Sequence, residues 1–202
     1  MPIREITLYL SFCKLHFTMT AIALNLTRCR RKRYTMNLAR YMSTDLMILR
    51  MPPPEEPPDN PDLNMEKFRQ KQKEKILADF VDLLDKSGKV LHRRKLLNDF
   101  INRERKASTA LEQGIAIPHV RTRYVRDTII GFARSLEGVE FGAYDNQPTH
   151  LFFIIASPSH AGDFHLKIYK QLLSMFEFED TYEQLMQVEK PGEVLRIIRQ
   201  FD

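Results

Sequence analysis

The sequence predicts an α/β sandwich of three layers, in which helices flank both faces of a mixed central sheet. Two short apolar runs rich in Ile and Phe, residues 128–133 and 151–156, have the length and composition of buried strands. Apolar residues at helical spacing precede and follow these runs. Strands that alternate with amphipathic helices along a chain are typical of a sheet covered by helices.

The first elements lie on either side of a Pro-rich segment. Residues 45–49 form a short apolar run that predicts a strand. Residues 52–62 are rich in proline, which removes amide donors and favours extended backbone, so they predict a loop. The loop therefore connects the first strand to the first helix.

Five helices are predicted after this loop. Three of them are predicted from apolar residues that recur at helical spacing and so form a stripe on one helix face. These stripes are Ile76, Leu77, Phe80, Val81 and Leu84; Leu96, Leu97, Phe100 and Ile101; and Leu166, Tyr169, Leu172, Leu173 and Phe176. Gly88 follows the first stripe where a helix would end. Asp180 and Glu183 are spaced as a capping pair that opens a fourth helix, and Pro191 opens a fifth.

Length and charge divide the chain into two parts. Its 202 residues suffice for one well-buried core. We expect residues 1–35 to be a disordered extension or an over-extended translation start, and residues 36–202 to form the domain. The first 34 residues hold seven Lys and Arg against one acid, so they carry +6 of the formal charge, and the remainder of the chain carries −1, which gives the total of +5. This distribution argues against nucleic acid as a partner of the domain.

The N-terminal part also bears on localisation. Its apolar stretch, residues 6–26, is interrupted by Lys14 and His16 and precedes its positive cluster, so it predicts neither a signal peptide nor a stable membrane span. A weakly amphipathic membrane-binding arm is the alternative. Cys13 and Cys29 are the chain's two cysteines, which excludes a disulfide framework and a Cys-based zinc site. A reducing, cytoplasmic compartment fits this usage.

One segment indicates chemistry. Residues 108–119 read Ser-Thr-Ala-Leu-Glu-Gln-Gly-Ile-Ala-Ile-Pro-His, in which Gly114 predicts a turn and Pro118 blocks further sheet pairing. We therefore expect His119 to be exposed and rigidly held at the end of a strand, where sites on open sheets tend to lie. An imidazole in such a place is neutral and nucleophilic near neutral pH, which suits the carriage of a phosphoryl group.

Gly114-Ile115-Ala116-Ile117-Pro118-His119 resembles the active-site motif of the enzyme IIA domain of the bacterial phosphotransferase system, type 2. This is the fructose/mannitol type, which includes the stand-alone nitrogen-regulatory form. The resemblance covers about residues 40–202. Its further matches are Arg103-Glu104, Ser108-Thr109, Phe141, Asp145-Asn146-Gln147-Pro148 and His165-Leu166.

The resemblance implies roles for three residues. His119 would accept a phosphoryl group from the phosphocarrier protein HPr and pass it to an enzyme IIB domain. His165 would lie beside it, to orient the ring or to contact the phosphate, and Arg103 would neutralise phosphoryl charge. Phosphoryl transfer depends chiefly on positioning and on donors or cations at the equatorial oxygens. No metal, nucleotide or other cofactor is implied.

Three functions remain as alternatives. The first is a phosphocarrier that serves sugar transport. The second is a regulatory module, acting for example in nitrogen regulation, whose phosphorylation selects protein partners. The third is nucleic-acid binding through the basic cluster at residues 28–33, which predicts that deletion of residues 1–35 abolishes affinity.

Several residues leave the interpretation open or depart from the motif. Val120 follows His119 where the family commonly places glycine, and the Pro-rich loop is longer than expected. Ser108 and Thr109 suit either contact with a phosphate or turn stabilisation. The other histidines of the domain are interpreted as structural or solvated, because no metal-binding spacing connects them; they are His92, His150 and His160.

Overall fold

A mixed sheet of five strands organises the computed structural model, which describes residues 36–59 and 62–202. The strands are β1 (Met47–Ile48), β2 (Ile115–Ala116), β3 (His119–Thr122), β4 (Ile129–Val139) and β5 (Thr149–Pro158). They are ordered β1-β4-β5-β2, and β3 also pairs with β5. Only β4 and β5 pair antiparallel in this part of the chain. The predicted α/β class and mixed sheet are confirmed.

Five α-helices accompany the strands in the described ranges. They are α1 (Met65–Asp85), α2 (Arg93–Lys106), α3 (Phe164–Met175), α4 (Glu179–Gln187) and α5 (Pro191–Ile198). Two short 3-10 helices, Leu38–Tyr41 and Thr44–Leu46, precede β1. None of the helices in these ranges has the length and apolar character needed to cross a membrane.

The core consists of two apolar clusters, and successive residues of a sheet strand belong in turn to one cluster and to the other. Along β5, Phe152 and Ile154 belong to the first cluster, whereas Phe153 and Ile155 belong to the second. Successive side chains of a strand point to opposite faces, so each cluster lies on its own face of the sheet. Helices α1 and α2 contribute to the first cluster, and α3, α4 and α5 to the second.

Some element boundaries differ from those predicted. The first strand is shorter than residues 45–49, because Thr44–Leu46 forms a 3-10 turn. Strand β4 is longer than the apolar run 128–133 and continues through Arg134, which is buried. The predicted capping pair at the start of α4 is wrong: its N-cap is Phe178, which makes no side-chain capping bond.

Other predictions agree with the structure or lie beyond it. Helix α5 begins at Pro191 as predicted. Residues 52–59 contain no helix or strand. Predictions for residues 1–35, including the basic cluster and both cysteines, lie outside the described residues.

Candidate functional site

A tight turn at Gly114 opens the segment that contains His119. Gly114 has a φ of +73°, and a Cβ atom there would lie 2.9 Å from the hydroxyl oxygen of Tyr182. The backbone conformation therefore favours glycine, and any side chain there would also have to displace Tyr182. The Gly114 carbonyl accepts hydrogen bonds from the amides of His150 and Leu151, at 2.8 and 3.0 Å. The turn is thus fastened to the start of β5.

His119 does not end a strand, as the sequence suggested, but begins one. Pro118 interrupts pairing after β2, and the chain then rejoins the sheet as β3, with His119 opposite Ile155 of β5. The next side chain, Val120, is buried in the first core cluster. Because strand side chains alternate, His119 projects to the other face.

The two ring nitrogens of His119 have different partners. Nδ1 lies 2.8 Å from the carbonyl oxygen of Ile117, and Nε2 lies 3.3 Å from Nη2 of Arg103. A carbonyl only accepts hydrogen bonds and a guanidinium only donates them, so these partners assign the proton of the neutral ring to Nδ1. The lone pair of Nε2 therefore points towards Arg103. Nη1 of Arg103 also donates to the carbonyl of Ala107, at 2.9 Å.

The protonation of His119 follows from this environment. Burial lowers the pKa of its imidazole from the ordinary value, and the hydrogen bond to Ile117 opposes that effect. The positive charge of Arg103 and the electrostatic effect of His165 lower the pKa further, whereas the negative charge of Glu104 raises it. With a pKa below the ordinary value of about 6.5, the ring is neutral and nucleophilic at neutral pH.

His165 is less closely attached to the site than Arg103. It lies in the first turn of α3, is half-buried, and its Nδ1 lies 3.2 Å from the carbonyl oxygen of Gly162. No hydrogen bond joins it to His119 among the described residues, and its effect on that ring is electrostatic. The aromatic neighbour of His119 on α3 is Tyr169, whose ring centroid is 5.4 Å away with the planes inclined at 58°.

A network of hydrogen bonds centred on Glu104 lies beside the site, and of the residues that donate to this carboxylate only Lys73 was not indicated by the sequence. The buried carboxylate of Glu104 accepts hydrogen bonds from Ser108, Thr109 and Lys73. The hydroxyl of Ser108 also approaches the carbonyl of Phe141, at 2.9 Å. Both hydroxyl residues thus make structural contacts of the kind proposed as one alternative. The adjacent Arg103-Glu104 pair was the available signal, but sequence could not reveal that its carboxylate is buried.

Two other histidines of the described residues, His92 and His150, make structural contacts. Nδ1 of His150 lies 3.1 Å from the carbonyl oxygen of Ser135, and the ring of His92 packs edge-on against Tyr124. Within residues 36–59 and 62–202, no group of three or more His, Cys, Asp or Glu side chains is arranged to hold a metal ion.

Comparison with known protein families gives a match over most of the chain. The family model described as "Phosphoenolpyruvate-dependent sugar phosphotransferase system, EIIA 2" matches residues 64–201. One relative is the PTS system fructose-specific EIIABC component of Bacillus subtilis, 37% identical over 132 residues. The alignment covers 65% of this chain but 21% of that protein. The chain therefore spans about a fifth of the relative's length.

Two solved structures are similar in fold. The nitrogen regulatory protein IIA-Ntr from Neisseria meningitidis superposes with a TM-score of 0.67 at 26% identity, covering 81% of this chain and 99% of that one. Enzyme IIAMtl in its complex with phosphorylated enzyme IIBMtl from Escherichia coli gives a TM-score of 0.61 at 20% identity, covering 78% and 96%. The second likeness concerns the fold alone.

Proposed function

Because this chain belongs to the EIIA type 2 family of the phosphoenolpyruvate-dependent sugar phosphotransferase system, we propose that it carries a phosphoryl group on Nε2 of His119. The observation that carries this proposal is the 3.3 Å approach of that nitrogen to the guanidinium of Arg103. A neutral imidazole supplies the nucleophile, and the adjacent cation can neutralise charge on the incoming group.

The transfer uses only groups that the two proteins supply. The lone pair of Nε2 attacks phosphorus of a phosphohistidine on an HPr-type donor, and the donor's P–N bond breaks with its electron pair returning to the donor imidazole. The Nδ1 proton stays on His119 and is held by the Ile117 carbonyl, 2.8 Å from that nitrogen. The reverse arrangement passes the group to an enzyme IIB acceptor. The phosphoryl group brings its own energy, so the step requires no cofactor.

His165 has a supporting role in this proposal. It lies close enough to lower the pKa of His119 electrostatically, and its half-buried position leaves it able to contact a bound phosphoryl oxygen. Enzyme IIB as acceptor is supported by the family and by the solved IIAMtl–IIBMtl complex, whose IIA component shares this fold.

The test is uptake of labelled phosphoryl from phosphorylated HPr. Wild-type protein should acquire an acid-labile label, and His119→Ala should acquire none. His92→Ala is the matched control, because His92 is an exposed histidine at the N-cap of α2, and it should label like wild type. Absence of label on folded wild-type protein would contradict the proposal.

The second candidate is a regulatory module. It is favoured by the likeness to the nitrogen regulatory protein from Neisseria meningitidis, which this chain matches over 99% of that protein's length. In this version phosphorylation of His119 alters the charge of one surface and so selects protein partners. Capture of partners by phosphorylated protein and by His119→Ala should then differ. Equal capture of every partner would reject the regulatory version.

Three other expectations belong to the same proposal. Residues 36–202 form the phosphotransferase domain, which the family match over residues 64–201 supports. Its architecture is a three-layer sandwich, which the two core clusters and their separate sets of helices support. Its compartment is the cytoplasm, where a phosphoryl donor of this kind would meet it.

A further inference from the structure

A buried carboxylate lies next to the proposed phosphoryl site without touching His119. The side chain of Glu104 is 3% exposed, and desolvating a carboxylate is costly unless its oxygens are hydrogen-bonded. Its Oε1 accepts from Nζ of Lys73 at 3.0 Å and from the Thr109 amide at 3.1 Å. Its Oε2 accepts from the Thr109 hydroxyl at 2.6 Å. Glu104 thus holds one residue, Thr109, by two separate donors.

Thr109 is connected in turn to the segment that presents the imidazole. Its carbonyl oxygen accepts a hydrogen bond from the amide of Ile117, at 3.0 Å. The carbonyl of Ile117 is the group that lies 2.8 Å from Nδ1 of His119. A continuous series of hydrogen bonds therefore runs from the buried carboxylate through Thr109 and Ile117 to the ring nitrogen opposite the proposed reactive one.

The geometry of this series bears on which nitrogen reacts. A neutral histidine has one protonated and one free nitrogen, and the tautomer is set by the partner of the protonated one. A displaced Ile117 carbonyl would weaken its hold on the Nδ1 proton. The free lone pair would then no longer be confined to Nε2, the nitrogen that faces Arg103.

We propose that Glu104 and Thr109 are positioning residues that fix the tautomer of His119, and so select Nε2 as the phosphorylated nitrogen. This inference rests on the proposed function, because it takes His119 to be the residue that is phosphorylated. The tautomer of His119 follows from the hydrogen bonds of the structure alone. Other proteins use the same principle when an outer hydrogen-bond partner orients a reactive histidine, as with a metal ligand or a catalytic triad.

The decisive variant is Thr109→Val, which keeps the shape of the side chain and removes the hydroxyl that Glu104 binds. ¹⁵N NMR of the His119 ring should show the Nδ1–H tautomer in wild type and a mixture in the variant. Transfer from phosphorylated HPr should fall roughly ten- to hundredfold, as expected for a misplaced reacting group. The adduct should shift from Nε2 alone to a mixture of both phosphohistidine isomers.

Two further variants and a control separate positioning from folding. Thr109→Ser restores the hydroxyl and should restore tautomer, rate and isomer. Glu104→Met removes both acceptor oxygens, so Thr109 loses both of its bonds to this side chain, and the variant should behave like Thr109→Val. Thr149→Val is the control, because the Thr149 hydroxyl is buried without a hydrogen-bond partner and its loss should change none of the three readouts.

The tautomer is measured without a phosphoryl donor, so the two proposals fail separately. A wild-type protein that takes up no phosphoryl group overturns the proposed function, while its ring can still show the expected tautomer. An unchanged tautomer in folded Thr109→Val or Glu104→Met overturns the positioning role. So does a slower transfer with unchanged tautomer and isomer, since that indicates only a structural contribution.

Discussion

Two buried charges, Glu104 and Arg134, are stabilised by different kinds of partner. Each belongs to a residue less than a tenth exposed. Glu104 is paired with the ammonium group of Lys73 and holds Thr109, close to His119. Arg134 has no carboxylate partner among the described residues, and its guanidinium donates to backbone carbonyls of Leu49, Leu185, Met186 and Val188.

Glu104 binds the segment that leads to the candidate site, whereas Arg134 connects structural elements of the fold. The carbonyls bound by Arg134 lie after β1 and at the end of α4, where helix carbonyls lack intrahelical partners. Its positive charge at a helix C-terminus is also favourable to the dipole. Arg134 therefore joins elements of the second face to the sheet, whereas Glu104 stabilises the segment between α2 and β3. Substitutions can test whether the two functions are truly separate.

The largest effect is expected for Arg134→Met, which removes the donor for four carbonyls at once. Buried acceptors left without a partner each cost about 1–3 kcal/mol, so the loss of the donor to four carbonyls should lower the free energy of unfolding by at least about 4 kcal/mol. Urea denaturation measures this loss. The tautomer of His119 in the remaining folded protein should be that of wild type. A change of tautomer there would show that the two regions are coupled.

A smaller effect is expected for Lys73→Met, which removes the cation beside Glu104. The carboxylate keeps its bonds from Ser108 and Thr109, so the loss should be about 2 kcal/mol, below the 3–5 kcal/mol typical of breaking a buried pair. Lys71→Met is the matched control, because Lys71 is an exposed lysine of the same helix and should change stability by less than about 0.5 kcal/mol. Equal losses in both variants would mean that the buried pair contributes nothing.

The same two charges show what sequence patterns can predict. Helix α5 begins at Pro191 as predicted, and the apolar runs 128–133 and 151–156 locate the main strands. These elements are predictable because the spacing of apolar residues in a helix or a strand is a pattern among neighbouring residues. Arg134 ended the predicted strand, since a charged residue interrupts an apolar run. Its carbonyl partners on α4 lie more than 50 residues away, and no local pattern reveals them.

The candidate site divides in the same manner. The segment 114–119 indicated His119 because its turn, its proline and its resemblance are all local. That Pro118 separates two strands depends on pairing with β5, far along the chain. The contact of Glu104 with Lys73 spans 31 residues. Sequence could thus indicate His119, the proposed reactive group, while the residues that hold it in place depend on tertiary packing.

The smallest effect, and the sharpest distinction between the two buried charges, concerns the pKa of His119. Removing a nearby positive charge favours the protonated ring, so Arg103→Met should raise this pKa; removing a negative charge should lower it in Glu104→Gln. Arg134→Met should leave it unchanged. Titration of the ring by NMR measures all three, and equal shifts in Arg103→Met and Glu104→Gln would contradict the assigned charges.

The depressed pKa of His119 also determines how its contribution to the free energy of unfolding changes with pH. As pH falls, His119 of the unfolded chain binds its proton near the ordinary value of about 6.5, before the folded ring does. The contribution of neutral His119 to the free energy of unfolding is therefore complete above about pH 6.5 and is lost as the pH falls towards the folded value. In Arg103→Met the two values lie closer together, so acidification should cost less stability through this residue. Urea denaturation at several pH values, with His119→Ala as the reference without the ring, measures that difference.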